Sequence, residues 1–169
     1  LTNPTIQKNL LKGQFGLEKE NIRINNKGEL SQEKHPFTNI PQIDRDFSES
    51  QIELITKPHN TTKETLNDLT QLQKQTAEKL LQLKTGEEYL WPFSNPPKIT
   101  ENQIKIAQYT GDKKEKTIYR QYLAKKYGKK KMLYSGIHYN FSFSQTLIKT
   151  LYKTENNNKK NYTQFKNNI

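Results

Sequence analysis

The sequence predicts an α+β domain. Three stretches alternate in the two-residue period of a strand, and two others carry apolar residues at helical spacing. The strongest helical stretch also opens with a Thr61–Glu64 capping-box pattern.

The first strand is expected over Gln14–Ile24, with Glu18 and Glu20 at even positions and Phe15 and Leu17 at odd ones. Asn25-Asn26-Lys27-Gly28 reads as a turn, because asparagine and glycine tolerate positive φ. Glu29–Pro41 is loop-like, since His35-Pro36 and Ile40-Pro41 disfavour helix. A second strand is expected over Glu49–Thr56, with Ile52 and Leu54 on one face and Glu49, Gln51 and Glu53 on the other; Lys57-Pro58 ends it. Leu66, Leu69, Leu72, Thr76, Leu80 and Leu83 then predict one helix over Thr62–Thr85, closed by Gly86.

Trp91–Pro97 is too proline-rich for helix and is expected to be a buried aromatic loop. A short helix is predicted over Glu101–Tyr109 and a longer one over Glu115–Tyr127, stopped by Gly128. Ser135–Ser144 is the clearest strand, with Ile137, Tyr139, Phe141 and Phe143 on one face and Gly136, His138, Asn140 and Ser142 on the other. Gln145–Tyr152 reads as helix. Residues 1–152 are thus expected to form one unit, followed by a polar Asn- and Lys-rich tail, 153–169, with no fold of its own.

Composition narrows the function classes. Apolar residues are 31% of the 169-residue chain and the mean hydropathy is -1.05, so the core is lean but clustered. With no cysteine, disulfides and thiolate metal sites are excluded, and a reducing compartment fits. No apolar run approaches the ~20 residues of a membrane span. The first residue is Leu1, no signal-peptide pattern follows it, and a cytoplasmic location is the default. The net charge of +11 admits an anionic partner such as nucleic acid or ATP. However, the lysines are dispersed and only Arg23, Arg45 and Arg120 are arginines, so compositional drift is the preferred reading. Lys129–Lys131 is the one local basic run and reads as a solvated helix end.

The chemistry-bearing residues lie on the polar faces of the three strands: Glu18 and Glu20; Glu53, with Asp46 in the loop before it; and His138 with Asn140. A two-residue spacing puts Glu18 and Glu20 on one side, about 7 Å apart along the backbone. Two carboxylates so aimed need a cation between them or a retained proton. Oxygen ligands with one imidazole suit Mg²⁺ or Mn²⁺. Taken singly, these residues equally describe the solvated face of an antiparallel sheet, and periodicity does not say whether the three strands converge.

Gly16-Leu17-Glu18-Lys19-Glu20-Asn21-Ile22-Arg23 resembles the opening motif of bacterial glutamate–cysteine ligases, including the ligase half of fused glutathione-forming enzymes. Asp46–Thr56, Leu90–Ser94, Ile118-Tyr119-Arg120 with Lys126-Tyr127-Gly128, and Ser135–Ser142 resemble the later motifs, in the family's order. Met132 and Tyr134 depart from the pattern, standing where relatives usually have glutamine and an aliphatic residue.

The resemblance implies a glutamine-synthetase-like antiparallel sheet cup flanked by helices, here incomplete. It implies ATP-dependent joining of glutamate to cysteine, with Glu18, Glu20, Asp46, Glu53 and His138 at metal-ligand positions. It places Tyr119 and Arg120 in the substrate pocket, with Arg120 as the catalytic candidate, and Phe47 near the cysteine side chain. Asn140 is a candidate substrate contact. Relatives several hundred residues long imply that residues 1–169 are an N-terminal fragment, inactive alone and missing its C-terminal remainder. The competing readings are a basic nucleic-acid-binding module, a ligase relative with another amine acceptor, and a remnant without activity.

Overall fold

The structure, a computed structural model, describes residues 3–38, 40–155 and 161–167. Its centre is one long strand, β1 (Gly13–Asn25), which reaches one residue beyond the expected span at each end. Along one edge, β1 pairs antiparallel with β3 (Gln51–Ile55), and β3 pairs with β2 (Ile43–Arg45). Along the other edge, β5 (Ile137–Phe143) pairs with the first part of β1 and β4 (Glu88–Leu90) with its end. The main-chain bonds fix these sides: Arg23 N–H donates to Ser50 O, whereas Glu20 N–H donates to Gly136 O. All pairings among these strands are antiparallel, and the sheet is open.

Two local details let β1 run so long. Gly13 lies where β5 crosses closely: an added Cβ would stand 2.3 Å from Ser142 O and 2.5 Å from the Phe141 ring. Beyond the strand, the Asn25 side chain accepts from the N–H groups of Lys27 and Glu29, and Gly28 takes φ +75° to close the expected turn.

One sheet face packs against α2 (Thr62–Leu81), whose capping box is formed: Thr61 Oγ1 accepts the Glu64 N–H and the Glu64 carboxylate accepts the Thr61 N–H. Leu69, Leu72 and Leu80 of α2 meet Ile43, Ile52 and Leu54, with Leu17 at the margin. Each leucine so buried stabilises the fold by roughly 1.5–3 kcal/mol. The helix stops short of the expected Thr85; Gln82 caps it, and Gly86 turns the chain at φ +121°.

The opposite face is apolar only at its far end. Ile22, Ile24, Phe47, Ile99, Ile104 and Leu133 form a second core there, bordered by Trp91 and Met132 and by Leu123 of α3 (Lys114–Tyr127). A fully buried ion pair lies on the α2 side of the sheet, where Arg23 stands opposite Leu90 and Glu88 opposite Asn25. Arg23 Nη1 donates to Glu88 Oε2 at 2.5 Å, and Arg23 Nη2 donates to the carbonyls of Glu33 and Glu49 at 2.7 and 2.8 Å. Ser31 donates to the second Glu88 oxygen.

Three expectations are corrected. The Glu101–Tyr109 helix is a single tight turn, Glu101–Gln103, after which the chain runs extended beside residues 47–49. There Glu49 N–H donates to Lys105 O and Ala107 N–H donates to Phe47 O. Bonds to a neighbouring segment replace helical ones, and Ile104, Ala107 and Tyr109 are buried as a result. The Trp91–Pro97 loop is not buried throughout: Trp91 packs on the core, but Phe93 is 59% exposed. Gln51, expected on the polar face, is wholly buried, with its amide oxygen accepting from Phe47 N–H and its amide nitrogen donating to Ser135 Oγ.

Three further helices complete the description. α1 (Pro4–Asn9), capped by the Asn3 side chain, lies against α4 (Gln145–Glu155). In the polar tail, α5 (Tyr162–Lys166) sets Tyr162 and Phe165 edge-on to Tyr152 at 5.3 and 5.5 Å between ring centroids. Residues 156–160 and Ile169 lie outside the described residues.

Candidate metal and substrate site

Along the even positions of β1 the side chains change from Ile24 and Ile22, inside the second core, to Glu20, 8% exposed, and Glu18, 33% exposed. The core cover ends between Ile22 and Glu20, so the acidic end of that face is left open. Register brings the other strands' polar residues onto it. Glu53 lies opposite Glu20, Asp44 opposite Glu53, His138 opposite Glu18 and Asn140 opposite Gly16. Directly opposed residues share a face, so Glu18, Glu20, Glu53, His138 and Asn140 gather on one side of the sheet.

Distances support this convergence. His138 Nδ1 lies 3.3 Å from Glu18 Oε2, and its Nε2 lies 4.0 Å from Glu20 Oε1. Glu20 Oε2 accepts the Gly136 N–H at 2.9 Å, which fixes its carboxylate at the start of β5. Burial pushes the Glu20 carboxyl up, with the Gly136 N–H opposing it. Glu53 is pushed up to about 7, first by burial and then by the negative charges of Asp46, Glu18, Glu20 and Asp44. Asp46 is raised by burial and partly relieved by Arg120 and His138. Burial is the largest cause of these shifts, and the mutual repulsion of the carboxylates adds to it at Glu53; a positive charge placed among them would relieve both. Among the described residues, no three such donors are already drawn up to hold an ion.

Arg120 reaches this cluster indirectly. Its guanidinium donates to the main-chain carbonyls of Asp46, Arg45 and Lys116, and its charge lies 5.0 Å from the centre of the Tyr109 ring. Tyr109 in turn donates to Asp44 Oδ1 and to Arg45 O, and carries Arg45 over its ring at 4.3 Å. The pair therefore holds the Asp44–Asp46 segment from behind. Phe47 is 1% exposed within the second core, and Tyr119 is 59% exposed on α3; the structure does not bring either ring onto the open face. Asn140 is exposed beside His138 on β5.

Asp44, Tyr109 and the Gly136 N–H are site elements that sequence reasoning did not single out. Asp44 had a signal, since it precedes Asp46 by two residues in the same alternation. Tyr109 had none, because its role depends on a loop crossing. A cleft of about 1170 Å³ shares Asp44 and Tyr109 with this site and is otherwise lined by residues that include Lys34, Arg45, Lys105, Lys113 and Lys129; none of Glu18, Glu20, Glu53 or His138 lines it.

Comparison with known proteins places the chain in a family. The family model for glutamate-cysteine ligase matches residues 1–169. The chain belongs to the glutamate–cysteine ligase family. It is 39% identical over 173 residues to the glutathione biosynthesis bifunctional protein of Desulfotalea psychrophila, covering 98% of this chain and 21% of that protein. It is 42% identical over 153 residues to the glutamate–cysteine ligase of Clostridium acetobutylicum, covering 85% and 31%. The crystal structure of a bifunctional glutathione synthetase from Pasteurella multocida superimposes with a TM-score of 0.81 at 36% identity, covering 95% of this chain and 21% of that one. The Francisella tularensis glutamate–cysteine ligase, solved with AMP, gives 0.74 at 34% identity, covering 85% and 30%. This family member therefore spans about a fifth to a third of the length of these relatives. Among its described residues, no helix is long and apolar enough to cross a membrane.

Proposed function

We propose that this chain forms one wall of the active site of an ATP-dependent ligase that joins the γ-carboxylate of glutamate to the amine of cysteine. The reaction is the cytoplasmic first step of glutathione synthesis. The observation that carries this reading is the gathering of Glu18, Glu20, Glu53 and His138 on one open sheet face, with Asp46 at its margin. The names of the relatives and the AMP held by the Francisella enzyme support it.

The donor set fits a hard divalent cation, since it is carboxylate oxygen with one imidazole and its repulsion is relieved by positive charge. Mg²⁺ or Mn²⁺ held by Glu18, Glu20, Asp46, Glu53 and His138 would neutralise ATP phosphates and help orient phosphoryl transfer. A carboxylate is a poor electrophile, so the γ-carboxylate of glutamate first takes the terminal phosphoryl group of ATP. The cysteine amine then attacks the acyl carbon and phosphate leaves.

The chain's own residues divide the remaining tasks. Glu18 orients the His138 ring, and the Gly136 N–H holds Glu20. Asn140, exposed on the same strand, offers both a donor and an acceptor to substrate. Arg120 fixes the main chain at Asp46, and Phe47 supports that loop from the core. The dispersed +11 charge is compositional in this reading and serves no nucleic acid.

The test is a hybrid enzyme in which this chain replaces the matching segment of the Clostridium ligase. A folded hybrid should turn over ATP only when glutamate and cysteine are both present. A folded hybrid that accepts other amines but not cysteine, or that shows no ATP turnover, refutes the reading.

A further inference from the structure

Residues 105–109 form an extended strap bonded along the turn that carries Asp46. Glu49 N–H donates to Lys105 O, Ala107 N–H donates to Phe47 O, and Gln108 N–H donates to Glu49 Oε1 at 2.7 Å. Arg45 returns the contact, donating to the same Glu49 oxygen at 2.7 Å and to Gln108 O at 3.0 Å. The strap ends at the buried Tyr109, whose N–H donates to Thr117 Oγ1 of α3 at 2.7 Å. Tyr109 is therefore held from both sides, by the turn and by a helix, and a residue so held places its own hydroxyl with little freedom.

That hydroxyl lies 2.9 Å from Asp44 Oδ1 and 2.8 Å from Arg45 O, and shares its one proton between them. Arg45, Arg120 and Lys116 place their charges 4.3, 5.0 and 5.2 Å from the ring centre. The two aspartates of the segment are held differently. The Asp44 carboxylate also accepts the Arg45 N–H at 2.8 Å and lies 3.6 Å from Lys116 Nζ, so the protein itself occupies it. Among the described residues, no side chain hydrogen-bonds the Asp46 carboxylate. The turn holds Asp46 through its main chain, where the N–H donates to Gln51 O and the carbonyl accepts from Arg120 Nε. The Asp46 carboxylate is thus left for a ligand, in the position that its main chain dictates.

We propose that Tyr109 is a positioning residue for the metal site: its hydroxyl keeps Asp44 turned to the protein and fixes the main chain that offers the Asp46 carboxylate to the cation. The inference rests on the metal-holding role proposed above for the acidic face. Tyr109 does not touch the cation and acts only through the 44–46 main chain. Groups that orient metal ligands from behind in this way set metal affinity by about 10–100-fold.

The experiment uses the hybrid ligase carrying this chain and reads Mn²⁺ binding by electron paramagnetic resonance, with no nucleotide or amino acid present. Tyr109→Phe removes the hydroxyl and keeps the ring among its three cations. Its Mn²⁺ dissociation constant should rise about 10–100-fold. In turnover, the Mg²⁺ concentration for half-maximal rate should rise by a similar factor, while the rate at saturating Mg²⁺ stays within about twofold of the parent. A loss of packing alone would not produce that split. Tyr89→Phe removes a hydroxyl bond of 2.6 Å to Glu87 on β4, away from the site, and should change neither constant. Thr117→Val frees the Tyr109 N–H without touching the acidic face; it should weaken Mn²⁺ binding in the same direction, and it replaces the Tyr109 variant if that one does not fold. Mn²⁺ affinity equal to the parent's in Tyr109→Phe, or in Thr117→Val where only that variant folds, overturns the proposal. So does a fall in rate at saturating Mg²⁺ with an unchanged Mg²⁺ requirement. Glu53→Gln separates the two readings. If it weakens Mn²⁺ binding while Tyr109→Phe does not, the acidic face still holds the metal and only the positioning role fails. If Glu53→Gln binds Mn²⁺ as the parent does, the metal reading fails and the positioning role with it.

Discussion

Glu18 and His138 stand directly opposite each other in the β1–β5 ladder, with His138 Nδ1 3.3 Å from the Glu18 carboxylate. The two residues are 120 positions apart in the chain. Their contact therefore exists only once the sheet has formed, and the acidic face is a product of the fold and not of any local motif.

The crowding of that face should be visible as pH-dependent stability. Burial, and then the neighbouring carboxylates, push Glu53 from its ordinary value of 4.5 up to about 7 in the folded chain. Between those values the folded state holds a proton that the unfolded state has lost, so stability falls as pH rises through the window and levels off above it. Glu53→Gln cannot ionise and should flatten the fall, gaining about 1–3 kcal/mol at about pH 8. Urea unfolding at about pH 5 and about pH 8 measures this; a variant no more stable than the parent at the higher pH contradicts it.

Two glycines of β1 should respond differently to alanine. At Gly13 the added Cβ would press on Ser142 O at 2.3 Å, which is backbone and cannot rotate away. At Gly16 the nearest atom is Asn140 Cβ at 3.6 Å, an ordinary contact. Gly13→Ala should cost about 1–3 kcal/mol, and Gly16→Ala should stay within about 0.5 kcal/mol of the parent. Equal unfolding midpoints for the two variants would mean that β5 does not cross β1 as described.

The buried Arg23–Glu88 pair should behave as a unit. Arg23→Met leaves a carboxylate 4% exposed without its cation and should cost about 3–5 kcal/mol. Adding Glu88→Leu should recover part of that loss, because the unpaired charge is gone. A double-mutant cycle in urea checks it, and strict additivity would show that the two side chains are independent.

The sequence was most informative where periodicity meets a stop signal. The Thr61–Glu64 box starts α2 and Gly128 ends α3 because both act within one helical turn. The alternation of β1, β3 and β5 was legible for the same local reason. Strands β2 and β4, three residues each, were not, since so short a run has no period to detect and exists through pairing with β3 and β1. The expected helix at Glu101–Tyr109 failed because residues 105–107 bond to the 47–49 loop, a partner that local spacing does not reveal. For the site, alternation put Glu18 and Glu20 on one side, but the family resemblance supplied the grouping with Glu53 and His138. The indirect reach of Arg120 through main-chain carbonyls required the fold.

The most direct test of the account is ATP turnover by the hybrid ligase with glutamate and cysteine, across a Mg²⁺ titration, comparing Glu53→Gln with Glu29→Gln. Glu29 sits in the turn after β1, bonded to Asn25, and is absent from the acidic face. Glu53→Gln keeps the shape of the side chain but removes the charge, so turnover should fall about 10²–10³-fold and the Mg²⁺ requirement should rise. The Glu29 variant should match the parent. Equal turnover of the two variants at limiting Mg²⁺ would contradict the claim that the face of Glu18, Glu20, Glu53 and His138 holds the metal.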